Sequence, residues 1–399
     1  MRAAASAPSA PSRRALPGAL SAFLGALALL AVLCLHLPAL LTTPALRALY
    51  PMPLVRTAIA TGLAAALALG ALALLAGAGR RLGVVGVVAA GAGLALGGAG
   101  VEVAEPVPAS PHLGLDWFVL DLLLLALVFV PLERAFARRR EQPVLRAGWR
   151  TDLAHFFVSH VGVQLLAFLT MAPAVVLLDL WRWPALDALR ETVSTRPLPL
   201  QLLGALLVAD LGGYAAHRAF HAVPFLWRFH AIHHSSEALD WLAGSRLHPL
   251  DVVVTRAAAF APLLLLGFSP PALSAYLLWV AVQATVIHAN VRWRFGWLEH
   301  VLVGPRFHHW HHAAEPEARD HNFAVHWAWL DALFGTHHLP PDRWPTSYGV
   351  DEPVPAGWAS QLLWPLQLKS GGERGAEDGR EAAAGPPLSS RPSARSADR

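Results

Sequence analysis

Histidine carries the chemistry of this chain. Between residues 217 and 312 nine of the rings fall into three close groups: His217 and His221; His230, His233 and His234; and His308, His309, His311 and His312. On a helix, positions i, i+3 and i+4 share one face. His217/His221 is an i, i+4 pair, and His230/His233/His234 and His308/His311/His312 are i, i+3, i+4 triplets. Each group can aim two or three imidazoles at one point, and neutral imidazole suits zinc, copper, iron or nickel. Eight such rings exceed the needs of one four- or six-coordinate ion. They suit two ions with a position left open for substrate or oxygen. His309 points off the shared face and is left out. An isolated histidine at a membrane face is an ordinary interfacial residue, and His155 and His160, alone in an apolar segment, are read that way. Asp210 lies seven residues before His217, two turns along the same face. It is placed to accept a ring N–H from a ligating histidine, as carboxylates behind metal ligands commonly do.

The elements that must position these rings are membrane spans. Of the 399 residues, 55% are hydrophobic and 15% charged, where a soluble domain carries about 25% charged residues. A span needs about 20 mostly apolar residues. Leu16–Leu41, Leu54–Gly77, Leu82–Gly100 and Leu115–Leu132 meet that need in the N-terminal third. The first is longer than the apolar core of a secretory signal and reads as a transmembrane helix. Further on come a longer apolar segment, Asp152–Leu180, and a span at Pro199–Tyr214. Val252–Leu266 and Pro271–Ile287 follow, either two crossings or a re-entrant hairpin. Arg13, Arg14, Arg80, Arg81 and the arginines of 134–150 fall on one side, which the positive-inside rule makes cytoplasmic. Counting crossings from there places all three histidine groups on that face. The fold expected is all-α, a polytopic membrane helical bundle with a histidine-rich di-metal site at its cytoplasmic face.

Other classes fall away. A net charge of +4, with arginines in short loops, does not describe a nucleic-acid surface. The single cysteine, Cys34, excludes intrachain disulfides and cysteine-based zinc sites. The organisation expected is an N-terminal transmembrane region over 1–132, a catalytic domain over 133–349, and a C-terminal segment over 350–399. Its tail, from about Gly371, has a disordered composition. A metal transporter or sensor is the alternative, but transport sites favour broken helices and intramembrane carboxylates, which are few here.

The three groups match the HxxxH, HxxHH and HxxHH boxes of the fatty acid hydroxylase/sterol desaturase superfamily of integral-membrane di-iron oxygenases, which the chain resembles over about Glu133–Gly349. Asp210 to Arg218, Arg246 to Leu250, His288 with Asn290, Asn322 with Phe323, and Asp331 with Phe334 to Thr336 resemble its flanking segments. Ala324 and Leu330 depart from it, standing where Gly and Trp are frequent. The resemblance implies two iron ions, with dioxygen as co-substrate and a lipid C–H bond hydroxylated or desaturated. As ligands it implies His217, His221, His230, His233, His234, His308, His311 and His312, with His288 as a ninth. It implies His248 as a ligand or a residue just behind the ligands, and Asn290 as a supporting group. It also implies a lipid partner, fatty acyl, sterol-like or otherwise isoprenoid. Electrons would come from a separate reductase or redox carrier.

Overall fold

The computed structural model describes residues 15–103, 113–165, 167–180 and 183–367. The C-terminal tail expected to be disordered, and the His160 side chain, lie outside the described residues. Three antiparallel helices begin the chain: α1 (Leu16–His36), α2 (Met52–Ala76) and α3 (Arg80–Ala95). Lipid supplies no hydrophobic force between helices, so close backbone packing must hold them together. Glycine makes that possible. A Cβ added to Gly25 would stand 2.6 Å from the Gly86 carbonyl oxygen, and one on Gly18 would stand 2.3 Å from that of Gly79. Between these contacts the Ser21 hydroxyl donates to the Ala66 carbonyl at 2.6 Å, satisfying a buried polar group inside the bundle.

Asp116 ties the bundle to α4 (Leu115–Phe136). The Asp116 carboxylate accepts from the Thr43 backbone N–H at 3.0 Å and from the Tyr50 hydroxyl at 2.6 Å. After α4 the chain forms α5 (Trp149–Leu165), α6 (Ala167–Leu180) and α7 (Leu198–Ala222). It continues into α8 (Pro224–His234), α9 (Pro249–Leu265), α10 (Pro270–His288) and α11 (Pro305–His311). Proline opens each of α7 to α11 within its first two positions, where the missing N–H costs nothing.

Among the described residues six helices are long and apolar enough to cross a membrane: α1, α2, α3 with its short extension, α4, α7 and α10. The protein is a multi-pass helical membrane protein. The segment expected at Asp152–Leu180 is helical on both sides of residue 166, which lies outside the described residues. The pair at 252–287 forms a helical hairpin turning at Gly267, whose φ of 75° suits glycine. Its α10 arm reaches span length, and its 17-residue α9 arm does not. Residues at both outer ends of the hairpin, Asp251 and His288, meet histidines of α8.

Buried ion pairs lock the entry to α5 against the loop that follows α8. Arg146 reaches Asp152 at 2.7 Å, and Arg246 reaches the other oxygen of Asp152 at 2.5 Å. Asp240 accepts from Arg146 at 3.0 Å. All four side chains are buried. Removing one partner leaves uncompensated charge in a low-dielectric interior. Asp152→Ala is expected to lower unfolding stability by about 3–5 kcal/mol, measured by denaturation of the purified protein in detergent. A change of a few tenths would show that the network is idle.

Candidate metal centre

Nine histidines from four helices, α7, α8, α10 and α11 with its C-cap, converge at one end of the α7–α11 assembly. They form two groups, each with one ring nitrogen per residue within 4.8 Å of the others. One holds His217, His221, His230, His234 and His311; the other holds His233, His288, His308 and His312. The spacing argument expected each box to point at one place, and here the structure differs. In α8 the i, i+4 pair His230/His234 serves the first group and the i+3 ring, His233, serves the second. Around α11 the assignment is exchanged: His308/His312 serve the second group and His311 the first. Residues three and four apart lie on either side of a shared face, so one helix set between two points divides its triplet. The two groups abut, with the His234 and His312 rings stacked at 4.4 Å.

Ring orientation shows what the groups can hold. A backbone carbonyl only accepts, so a ring nitrogen facing one carries the proton. His217 Nδ1 faces the Phe323 carbonyl at 2.8 Å, and His233 Nδ1 faces that of Arg246 at 3.2 Å. His288 Nδ1 faces the Ala284 carbonyl at 2.7 Å, and His311 Nδ1 that of His321 at 2.8 Å. The Nε2 atoms of these neutral rings are therefore bare, and they point inward. His233 Nε2 and His288 Nε2 stand 3.3 Å apart, two lone pairs with no proton between them. Nε2 of His221, His234 and His311 are buried without a hydrogen-bond partner among the described residues. Such an arrangement repels itself unless a cation sits among the nitrogens. Protonation is not the remedy. Burial first, then the neighbouring imidazoles, hold His230, His233, His234, His308, His311 and His312 well below the ordinary imidazole pKa. The donor set is all nitrogen and all neutral, and it fits transition-metal ions.

Two carboxylates serve the rings directly. Asp251, in the first turn of α9, accepts from His230 Nδ1 at 2.6 Å, and both groups are buried. Asp320 meets His221 Nδ1 at 3.2 Å from an exposed position with φ 57°. A carboxylate behind a ligating histidine fixes its tautomer and raises its basicity. Sequence reasoning missed both. Asp251 had a signal, since an acid at the start of an apolar helix needs a partner; Asp320 and the four carbonyls had none.

The three supporting residues expected from sequence do other work. Asp210 touches no histidine ring. Its oxygens accept the backbone N–H groups of Val325, His326 and Trp327 at 2.8, 3.0 and 2.7 Å. Asp331 takes those of Phe323 and Ala324 at 2.7 and 2.9 Å. Together the two carboxylates hold the 323–327 segment, and its Phe323 carbonyl faces His217. His248 is not in either metal group. Its Nδ1 accepts from the Leu250 N–H at 3.1 Å, capping α9, and its Nε2 faces the Leu362 carbonyl at 3.2 Å. Asn290 clamps the Arg139 backbone, accepting from its N–H at 2.9 Å and donating to its carbonyl at 3.0 Å. The rings outside the groups have partners of their own. His309 meets the Tyr348 hydroxyl at 2.6 Å and the Ala289 carbonyl at 3.1 Å. His155 lies between the Leu247 carbonyl and Gln361.

Metal analysis of the purified protein is expected to find about two transition-metal ions per chain. His233→Ala should fall well short of two, and Asp251→Asn should weaken metal affinity about 10- to 100-fold. A metal-free protein indifferent to both changes would refute the site.

Comparison with known proteins agrees with this geometry. A family model described as fatty acid hydroxylase matches residues 202–336, which include all nine histidines. The ornithine lipid hydroxylase OlsE of Rhizobium tropici is 31% identical over 268 residues, covering 63% of this chain and 76% of that protein. The alkylglycerol monooxygenase of Homo sapiens is 31% identical over 157 residues, 39% of this chain and 34% of its own length. A very-long-chain aldehyde decarbonylase of Oryza sativa subsp. indica is 29% identical over 218 residues, 50% of this chain and 32% of its own. The chain thus spans about a third of the latter two. No solved structure matches. Family model, relatives and histidine boxes agree: the chain belongs to the fatty acid hydroxylase family, within the fatty acid hydroxylase/sterol desaturase superfamily.

Proposed function

We propose that the protein is a membrane di-iron oxygenase that uses dioxygen to hydroxylate or desaturate a C–H bond of a lipid. The observation that carries this reading is the pair of buried, neutral, all-histidine groups where the membrane-length helices α7 and α10 meet the short helices α8 and α11. The ornithine lipid hydroxylase and the alkylglycerol monooxygenase are named for oxygen insertion into lipids, which supports the same substrate class here. Two irons would be held by His217, His221, His230, His234 and His311 on one side and His233, His288, His308 and His312 on the other. Bound iron supplies the redox chemistry that histidine cannot. In hydroxylation one oxygen atom enters the C–H bond and the other leaves as water, consuming two electrons and two protons from a separate reductase or redox carrier.

The protein's own residues set the conditions. Carbonyls and carboxylates fix which ring nitrogen is bare, Asp210 and Asp331 hold the loop that orients His217, and burial keeps water from the reacting atoms. The transporter reading finds no support in this geometry. Nine ligands closed in by aromatic and apolar side chains make a site to keep ions in, not to pass them.

The test is comparative lipid mass spectrometry of cells with and without the gene. One lipid class is expected to gain an oxygen, or lose two hydrogens, only when the intact protein is present. No difference in any class, with expression verified, would overturn the reading.

The site lies on the cytoplasmic side of the cell inner membrane in this proposal, because Asn290 beside the centre clamps the arginine-rich 134–150 segment. Glu237 is exposed near the centre. With Cys34 replaced, a Glu237→Cys variant is expected to react with an impermeant maleimide in inverted vesicles and not in intact cells. The opposite pattern would reverse the orientation.

A further inference from the structure

Two features of the α7–α9–α10 interior are unused by the metal centre. The first is Gly213. On α7 it stands one turn before His217 and in the middle of the face that buries Leu206, Ala209, Asp210, Tyr214 and His217. A Cβ there would meet no described atom within 4 Å, whereas one on the adjacent Gly212 would fall 2.0 Å from the Ala258 carbonyl oxygen of α9. The two glycines do opposite things. Gly212 lets two backbones touch, and Gly213, itself half-buried, leaves open space one turn from a grouped histidine.

The second is Arg256, the only charged residue between Val252 and Leu265 on α9. Its side chain is exposed, and it makes no hydrogen bond or ion pair with any described residue. Arg256 and Phe260 share a face at i, i+4, and the Phe260 ring meets Tyr276 of α10 at 5.4 Å. Both features stand at one height. At 1.5 Å per residue, Gly213 is about 6 Å above His217, and Arg256 about 7.5 Å above Asp251, the partner of His230. An unpaired guanidinium among apolar helices is costly and marks a place where an anion belongs. Its planar fork suits the two oxygens of a carboxylate or phosphate.

We propose that the space beside Gly213 is the chamber for the lipid substrate, and that Arg256 anchors an anionic group, carboxylate or phosphate, carried by that lipid. The inference rests on the oxygenase reading but is tested without turnover. Radiolabelled oleate, 1-oleoyl lysophosphatidate and the neutral monoolein are equilibrated, without oxygen, with the metal-loaded full-length protein in detergent. The wild type is expected to bind at least one anion about tenfold more tightly than monoolein. Tighter oleate assigns a carboxylate, tighter lysophosphatidate a phosphate, and equal binding the shared anionic charge.

Arg256→Leu should abolish the preference, Arg256→Lys should keep part of it, and both should retain full metal content. Gly213→Leu, which fills the chamber, should weaken all three lipids alike. A wild type without preference, or an Arg256→Leu protein that keeps it, overturns the anchor. If Arg256→Leu loses its metal, Arg256→Lys decides, because binding unchanged from wild type then overturns the anchor. Full binding by Gly213→Leu overturns the chamber. Absence of any oxidised lipid in cells would instead remove the oxygenase reading and leave an Arg256-dependent binding result standing.

Discussion

Everything in the catalytic half depends on keeping bare imidazole nitrogens pointed at one another. Lone pairs at hydrogen-bonding distance repel, and the protein that holds them there fixes six of the nine rings from behind. The fixing is done by acceptors aimed at Nδ1: the carbonyls of Phe323, Arg246, Ala284 and His321, and the carboxylates of Asp251 and Asp320. Each acceptor lies on a different piece of chain from the next ring it must match, apart from the His288 bond within α10. The site is thus an agreement between helices that supply rings and loops that supply acceptors.

That agreement explains where the costly buried charges were placed. Asp210 and Asp331 are spent on five backbone N–H groups of one loop rather than on ligands. The loop has no regular secondary structure at 322–327 to hold it, and a shift of the Phe323 carbonyl would release the His217 ring. The Arg146–Asp152–Arg246–Asp240 network does the same for the Arg246 carbonyl behind His233. Two of the six outward bonds therefore stand on charged supports remote from any ion.

Much of this was legible in residue types and spacing. Apolar runs placed the membrane helices, and i, i+3, i+4 spacing selected eight of the nine grouped rings and excluded His309. His288 came only through resemblance, because one histidine at a helix end has no spacing to give it away. Spacing could not say that a triplet would divide between two points, since that depends on where the helix axis runs relative to both. Asp210, expected to accept a ring N–H, accepts three backbone N–H groups instead. Helical periodicity places it on the His217 face but is silent about a loop more than a hundred residues later that reaches it first. Carbonyl acceptors are invisible in sequence because every residue has one.

The divided triplets of α8 and α11 have a consequence for assembly. Neither helix can turn to shift a ring of one group without moving a ring of the other. One rotation of each short helix therefore sets its rings in both groups at once, and helical pitch alone ties the placement of one group to that of the other.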